Sequence, residues 1–357
     1  MGVQPRCIDH HRCRQHLKQL FDTRINSTKQ LWNNLDRVCS FSKKKDKIAI
    51  SELLVNNQKM TDSKDICDCF NKYFCTVGEK LSSNIVQPDT NFNKYLPWAS
   101  KESMFCAPTT HLEIEKIISS LKNNKSPGPD NIGPKVIKAI AELVAEPLSF
   151  IYNMSFVNGI VPYQLKISKV IPVYKKGNRN SVGNYRPISL LDTFEKILEK
   201  LMYKRLYDYL SLNNVLYDYQ FGFRKYHSTS LALIDVMDDI YQQLDNSNIV
   251  IGIYLDLQKA FDTVDHSILL AKLYNYGVRG NVYNWFKDYL YDRQQFVSVR
   301  GINSDTASVS YGVPQGSVLG PLLFLIYVND MHSCIDDATV KLFADDTNFL
   351  LAVNLLK

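Results

Sequence analysis

Three aspartates stand at the ends of apolar runs that read as strands. Asp256 closes the run Ile249–Leu257 (IVIGIYLDL), so its carboxylate should emerge at the edge of a sheet. Asp345 and Asp346 stand between Val340–Ala344 and Thr347–Val353, in the turn of a hairpin pattern. Carboxylates on adjacent strand ends can share hard cations such as Mg²⁺, which prefers oxygen ligands. Two such ions, about 3.5–4 Å apart, activate a hydroxyl and stabilise a leaving pyrophosphate. Taken alone, Asp-Asp is also ordinary turn chemistry. Between the acidic positions lies Tyr311-Gly-Val-Pro-Gln-Gly-Ser-Val-Leu-Gly-Pro321, whose three glycines let a ligand or template backbone come close. A glycine-rich helix cap would account for the glycines but leaves Gln315 without a role.

The wording around these residues resembles a known family. Tyr254–Asp262 (YLDLQKAFD), Gly312–Ser317 (GVPQGS) and Phe343–Asp346 (FADD) resemble, in order, the three palm motifs of reverse transcriptases. Upstream, Ile171–Gly177 (IPVYKKG), Asn184–Leu191 (NYRPISLL) and Gln220–Arg224 (QFGFR), with His227-Ser-Thr229 after it, resemble the fingers motifs. The phrasing is similar to that of non-LTR (LINE-type, jockey-like) retrotransposons, and Ser126–Asp130 (SPGPD) resembles a signature that precedes the fingers there. Six ordered motifs are far more specific than any one of them.

The resemblance implies an RNA-directed DNA polymerase working with two Mg²⁺ ions, with Mn²⁺ able to substitute. Its partners would be an RNA template, a DNA primer or target and deoxynucleoside triphosphates. Asp256, Asp345 and Asp346 would be the catalytic, metal-binding set. Phe261 would pack against the sugar of the incoming nucleotide and exclude a 2′-hydroxyl. Gln315 and Gly316 would touch the nucleotide or the template base pair. Arg186, with Lys175 or Lys176, would reach the triphosphate. Gln220, Phe223 and Arg224 would meet the template. Asp262 and Asp265 would be structural, Asp265 as a helix cap.

These residues need a mixed frame to hold them. Thr110-His-Leu-Glu113 is a capping-box pattern ahead of Ile114, Ile117, Ile118 and Leu121. Helices are also expected over 134–152, 191–210, 265–275 and 282–291, and from Pro321. Strands are expected at 169–174, at 249–257 in the centre of a sheet, on both sides of Gly301, and in the final hairpin. The expectation is an α/β (α+β) right-hand polymerase: fingers and palm, with an antiparallel palm sheet backed by helices. Residues 1–105 read as a helical basic extension and linker, and 106–357 as fingers and palm, with core motifs over 155–357. The chain ends just past the Asp345-Asp346 hairpin, so the expectation is a domain incomplete at its C-terminus with the thumb absent.

Charge is uneven. Residues 1–50 hold eleven Lys/Arg against four Asp/Glu, a balance of +7 in a chain of net +6, which suits a polyanionic partner. A relic that only binds nucleic acid through this arm is the competing reading, and a metal-dependent nuclease a more distant one. Cys7, His10, His11, Cys13 and His16 are metal-type ligands, but the two Cys-x-x-His pairs lie too close together for a structural zinc loop. No run is apolar enough to span a membrane or resembles a signal peptide, and the eight cysteines form no framework. The reading is an intracellular protein, of nucleus or cytoplasm.

Overall fold

A computed structural model describes residues 50–55, 58–85, 92–96, 99–335 and 337–354. The chain divides into two compact units, Met1–Ile50 and Ser51–Lys357. The basic arm and its Cys–His cluster therefore lie outside the described residues.

The second unit opens with β1 (Leu53–Val55), β2 (Gln58–Met60) and α1 (Ser63–Ser83). Next come α2 (His111–Ser120), α3 (Pro134–Ala139) and α4 (Ala141–Asn158). The hairpin β3 (Ile167–Tyr174) and β4 (Tyr185–Leu190) leads to α5 (Thr193–Leu212) and α6 (Thr229–Asp245). After these come β5 (Ile249–Asp256), α7 (His266–Asn275), α8 (Gly280–Leu290) and β6 (Arg293–Val299). The unit closes with β7 (Ile302–Asn303), β8 (Ala307–Val309), α9 (Gly320–Val328), β9 (Thr339–Phe343) and β10 (Asp346–Val353).

The strands make two main sheets. One is antiparallel, in the order β5-β10-β9; the other runs β4-β3-β6-β7, with β8 also on β6. The β3–β6 pair is parallel, so this second sheet is mixed rather than antiparallel. β5 lies at an edge of its sheet, not in the centre, and Ile249, Ile251 and Ile253 stay close to half exposed. A two-sided apolar run reports which faces are apolar; it does not report the order of strands.

Between the sheets' supports lies a core built from α2, α4, α5, α7, α8 and α9, centred on Trp285, Tyr289, Phe286 and Phe324. α9 is apolar on every side, which only a helix enclosed by others can be; Leu322, Leu323, Phe324, Leu325 and Ile326 are all buried. Thr110 caps α2 by accepting from the Glu113 N–H at 3.3 Å. The Glu113 carboxylate does not close the box; it pairs instead with Arg205 at 2.9 Å and with the Thr109 hydroxyl. The single helix expected over 134–152 is two, broken at Ile140 (φ −118°, ψ 19°).

α1 belongs to the folded unit rather than to an N-terminal extension. It packs on β6, β7 and β8, and Asn71 Nδ2 donates to the carbonyls of Gln295 (3.3 Å) and Asp305 (2.8 Å). The unit boundary thus falls at 50/51, well before residue 105. Among the described residues, no helix is long and apolar enough to cross a membrane.

A buried lysine ties α6 to the antiparallel sheet. Lys341 of β9, 2% exposed, meets Asp235 (2.5 Å) and Asp239 (2.7 Å) of α6 and lies 3.7 Å from the Tyr219 ring centroid. Lys341→Met should cost about 2 kcal/mol in denaturant melts, less than for a fully enclosed pair because both aspartates keep some exposure. Adding Asp235→Asn should recover part of that loss, whereas additive costs would mean that the two carboxylates do not share the ammonium.

Candidate active site

β10 pairs with β5 in a register that sets Asp346 directly opposite Asp256. Directly opposed residues of antiparallel strands point to the same face, so the two carboxylates share one side of the sheet. Asp346 also faces Phe343 across the β9–β10 hairpin, leaving Ala344 and Asp345 as a two-residue loop. Asp345 is therefore the turn residue, and Asp346 begins a strand. The Asp346 carboxyl is held above the ordinary carboxylate range, first by burial and then by repulsion from Asp345 and Asp256. A divalent cation would relieve that repulsion, and the donors are hard oxygens of the kind Mg²⁺ takes, so the residue set fits such an ion. Among the described residues, no three His, Cys, Asp or Glu side chains are already gathered closely enough to hold a metal.

The turn is braced from one side. Residues 219–222 run beside β9: Phe221 N–H donates to the Leu342 carbonyl (2.8 Å), and Leu342 N–H to that of Tyr219 (2.9 Å). Gln220, 3% exposed, accepts from the backbone N–H of Gly222 (2.8 Å) and of Ala344 (2.9 Å) through one side-chain oxygen. Its amide nitrogen donates to the Ala344 carbonyl at 3.4 Å. Ala344 holds φ 59°, a conformation costly for a residue with a Cβ, and Gln220 grips both its polar backbone groups. A Cβ on Gly222 would collide with the Ala344 backbone, so only glycine lets the segment come this close. The expectation that Gln220 meets the template is corrected: its side chain is enclosed and fully engaged with the turn. Arg224 is similarly drawn inward, donating to the carbonyls of Tyr217 (2.7 Å) and Asp218 (3.3 Å). Phe223 remains exposed, at φ 55°.

Across the site, the β3–β4 hairpin carries its cations outward. Lys175, Lys176 and Arg186 are exposed, with Arg186 opposite Val173 in the ladder. Lys259, a residue that the motif wording did not single out, joins them. Its ammonium donates to the carbonyls of Tyr185 (3.0 Å) and Gly183 (3.3 Å), tying the segment after β5 to the β3–β4 hairpin. Burial lowers its pKa; Asp262 opposes that, and the nearby charges of Lys175 and Arg186 add to it. Lys175, Arg186 and Lys259 thus share one electropositive zone. The signal was present: Lys259 is the one cation inside YLDLQKAFD.

Phe261 is half-buried. Its ring stacks on Phe324 of α9 (4.8 Å between centroids, 18°) and meets Phe223 edge-on (6.0 Å, 90°). Its carbonyl accepts from Val313 N–H (2.8 Å), which fastens the glycine-rich loop to the segment that follows β5. Gln315 is turned toward the protein: its side-chain amide donates to Asp262 (2.7 Å), and its carbonyl accepts from Ser189 N–H (2.8 Å). Gly316, at φ 123°, lies so close to β4 that a Cβ would be 2.6 Å from the Ser189 carbonyl oxygen. Burial pushes the Asp262 carboxyl up to about 6 against the pull of Gln315 and Lys259. Asp265 caps α7, accepting from Ser267 N–H (2.8 Å) and Ile268 N–H (3.1 Å).

The profile of the family described as "Reverse transcriptase (RNA-dependent DNA polymerase)" matches residues 173–353, from β3 through β10. The chain belongs to the reverse transcriptase family. Its relatives among curated proteins come from mobile elements. It is 31% identical over 291 residues to the RNA-directed DNA polymerase from mobile element jockey of Drosophila melanogaster, covering 76% of this chain and 32% of that protein. The probable RNA-directed DNA polymerase from transposon BS of the same species is 34% identical over 258 residues, 69% of this chain and 28% of that protein. That from transposon X-element, also of D. melanogaster, is 31% identical over 253 residues, 70% of this chain and 28% of that protein. The chain thus spans about a third of the length of these relatives.

Two outcomes follow from the bracing of the site. Gln220→Leu strands the N–H groups of Gly222 and Ala344, so it should cost about 2–3 kcal/mol in a denaturant melt. The Ala344 amide should also exchange its hydrogen faster than amides of the core helices, and unchanged protection there would rule out the brace. For Asp262 the sign is set by a folded-state pKa raised from 3.8 to about 6. The folded chain holds that proton more tightly, so the group's stabilising contribution is complete below pH 4 and is lost as pH rises through about 6. Asp262→Asn should therefore gain on the order of 2 kcal/mol relative to wild type at pH 8, shrinking toward zero at pH 4. A gap independent of pH would show that the carboxylate ionises without penalty.

Proposed function

We propose that this chain carries the nucleotide-adding centre of an RNA-directed DNA polymerase of a non-LTR retrotransposon. The centre joins deoxynucleotides to a primer 3′-hydroxyl opposite an RNA template. The observation that carries the reading is the in-register pairing of Asp256 with Asp346 beside the Asp345 turn, inside a chain of the reverse transcriptase family.

Asp256, Asp345 and Asp346 are the side chains that would hold divalent metal, Mg²⁺ by the hardness of its oxygen donors. When bound, such ions supply charge neutralisation at the attacking hydroxyl and at the leaving pyrophosphate. The chain's own groups do the rest. Lys175, Arg186 and Lys259 orient the triphosphate by their shared positive field. Phe261, backed by Phe324, forms the wall on which the sugar rests and against which a 2′-hydroxyl would clash. Gln315 and Gly316 line the loop that faces the nascent base pair, held at fixed height by Asp262 and Ser189. Phe223 offers an exposed ring to the template strand, stabilised from below by Phe261. The +7 balance of residues 1–50 supports salt-sensitive contact of that segment with nucleic-acid phosphates.

The test is primer extension on an RNA template with Mg²⁺ and deoxynucleotides. Because the chain spans about a third of its relatives, it is assayed both as itself and exchanged into the matching segment of a jockey-type polymerase. Asp345→Asn should lower extension by about 100-fold or more, since positioning and charge neutralisation carry most of the barrier reduction. Phe261→Val should raise ribonucleotide incorporation by about tenfold or more, with deoxynucleotide incorporation largely kept. Wild-type extension by Asp345→Asn would overturn the carboxylate assignment.

A further inference from the structure

Glu199 is a carboxylate where helix α5 should have an apolar side chain. Ile197, Leu198, Leu201, Met202 and Leu206 around it are all buried, and Glu199 itself is 1% exposed. Its neighbour Arg293 does not pair with it: that guanidinium meets Glu195 at 2.7 Å and lies 4.9 Å from the Tyr289 ring centroid. Glu199 instead takes two hydrogen bonds from groups with no formal charge. One oxygen accepts from the Tyr289 hydroxyl (2.5 Å), and the other from the backbone N–H of Val318 (2.8 Å). Arg293 and Lys196 favour its charge only from a distance, and burial still outweighs them and the two hydrogen bonds, so its placement is hard to explain as stabilisation.

Val318 explains it. The glycine-rich loop that carries Gln315 and Gly316 is fastened by side chains at Gln315, which donates to Asp262, and at the Gly312 carbonyl, which meets the His266 ring, and at four further points by its backbone. Gly312 N–H donates to the Val264 carbonyl, Val313 N–H to that of Phe261, and the Gln315 carbonyl accepts from Ser189 N–H, each at 2.8 Å. Those three are backbone to backbone. The fourth, at the downstream end, is the Glu199 carboxylate on Val318 N–H. Just before it Ser317 closes the turn internally, donating to the Pro314 carbonyl (2.9 Å) and accepting from Gly320 N–H (2.8 Å). That makes the 314–320 segment a rigid piece held at two places, by Ser189 and Asp262 at Gln315 and by Glu199 at Val318, so releasing the second lets it tilt about the first. The same end leads into α9, whose Phe324 backs Phe261, so a shift there would reach both walls of the nucleotide site.

We propose that Glu199 is a positioning residue for the nucleotide site. From the core it fixes the downstream side of the Gln315–Gly316 apex through Val318 N–H, complementing Ser189 and Asp262 at Gln315, with Tyr289 fixing the direction of its carboxylate. The inference rests on the functional reading above, and its test has one arm that does not depend on that reading. In the extension assay, Glu199→Met should raise KM for deoxynucleotides by about tenfold while kcat changes less than about threefold, the size of one lost buried hydrogen bond. Glu199→Gln keeps an acceptor for Val318 and should stay within about threefold of wild-type KM. In the full chain, hydrogen exchange across residues 312–319 should accelerate about tenfold in Glu199→Met relative to α8. The melting midpoint should stay near wild type, because the lost hydrogen bonds are offset by relief of carboxylate burial. Should Glu199→Met not fold, Tyr289→Phe removes the orienting donor and should raise KM in the same direction, by about threefold. Wild-type KM together with wild-type exchange in Glu199→Met would overturn the proposal, as would loss of activity that merely follows loss of folded protein. If wild type shows no extension at all, the functional reading fails, and the exchange arm still decides whether Glu199 pins the loop.

Discussion

The pairing of β5 with β10 sets two like charges face to face, and much of the surrounding structure is shaped by holding them there. Asp256 and Asp346 are opposed in register, and Asp345 is the next residue along the chain. Like charges directly opposite in a ladder weaken it; the Asp346 carboxyl is raised first by burial, with repulsion from Asp345 and Asp256 adding to it. The ladder survives because it is long, from Asp346–Asp256 to Val353–Ile249, and because β9 locks the other side of β10. Lys341 then ties β9 to α6, and Gln220 grips Ala344 inside the turn itself. A charge cluster left open for cations is bearable when the backbone under it has no freedom to move apart.

The same logic governs the polar interior. Gln220, Lys259, Gln315 and Glu199 each join two segments distant in sequence, and three of them engage backbone groups of the distant segment. Loops that must meet a ligand cannot bury their own backbone in regular ladders, so their N–H and carbonyl groups need partners from elsewhere. Here side chains from the core provide them.

Much of the frame was legible beforehand because its signals are local. Thr110 and Asp265 announce helix starts through their own side chains. The unbroken apolar run of α9 announces a helix with no solvent side, and the three palm motifs stand in family order. What was not legible depends on contacts between distant residues. The edge place of β5 and the parallel β3–β6 pair are set by how connections cross, and no local period reports that. α1 looked like part of an extension because its polar residues are many; Asn71, one of them, is buried to satisfy carbonyls of the second sheet. Gln220 and Arg224 carry residue types that suit a template, and only the fold reveals that both are already engaged by backbone.

Glu199 marks the boundary between those two kinds of information. Its place among Ile197, Leu198, Leu201 and Met202 could have been read from sequence as a carboxylate on an apolar helix face, which is a warning that something polar lies opposite. Sequence could not say what. Besides the Tyr289 hydroxyl, the partner is a single backbone N–H more than a hundred residues away, in a loop that is otherwise fastened largely through its own backbone groups. Backbone partners leave no trace in residue identity at the far end: Val318 would donate equally well as any residue but proline. Positioning residues of this kind are therefore visible from one side only, as a buried polar group whose partner has to be found in the fold.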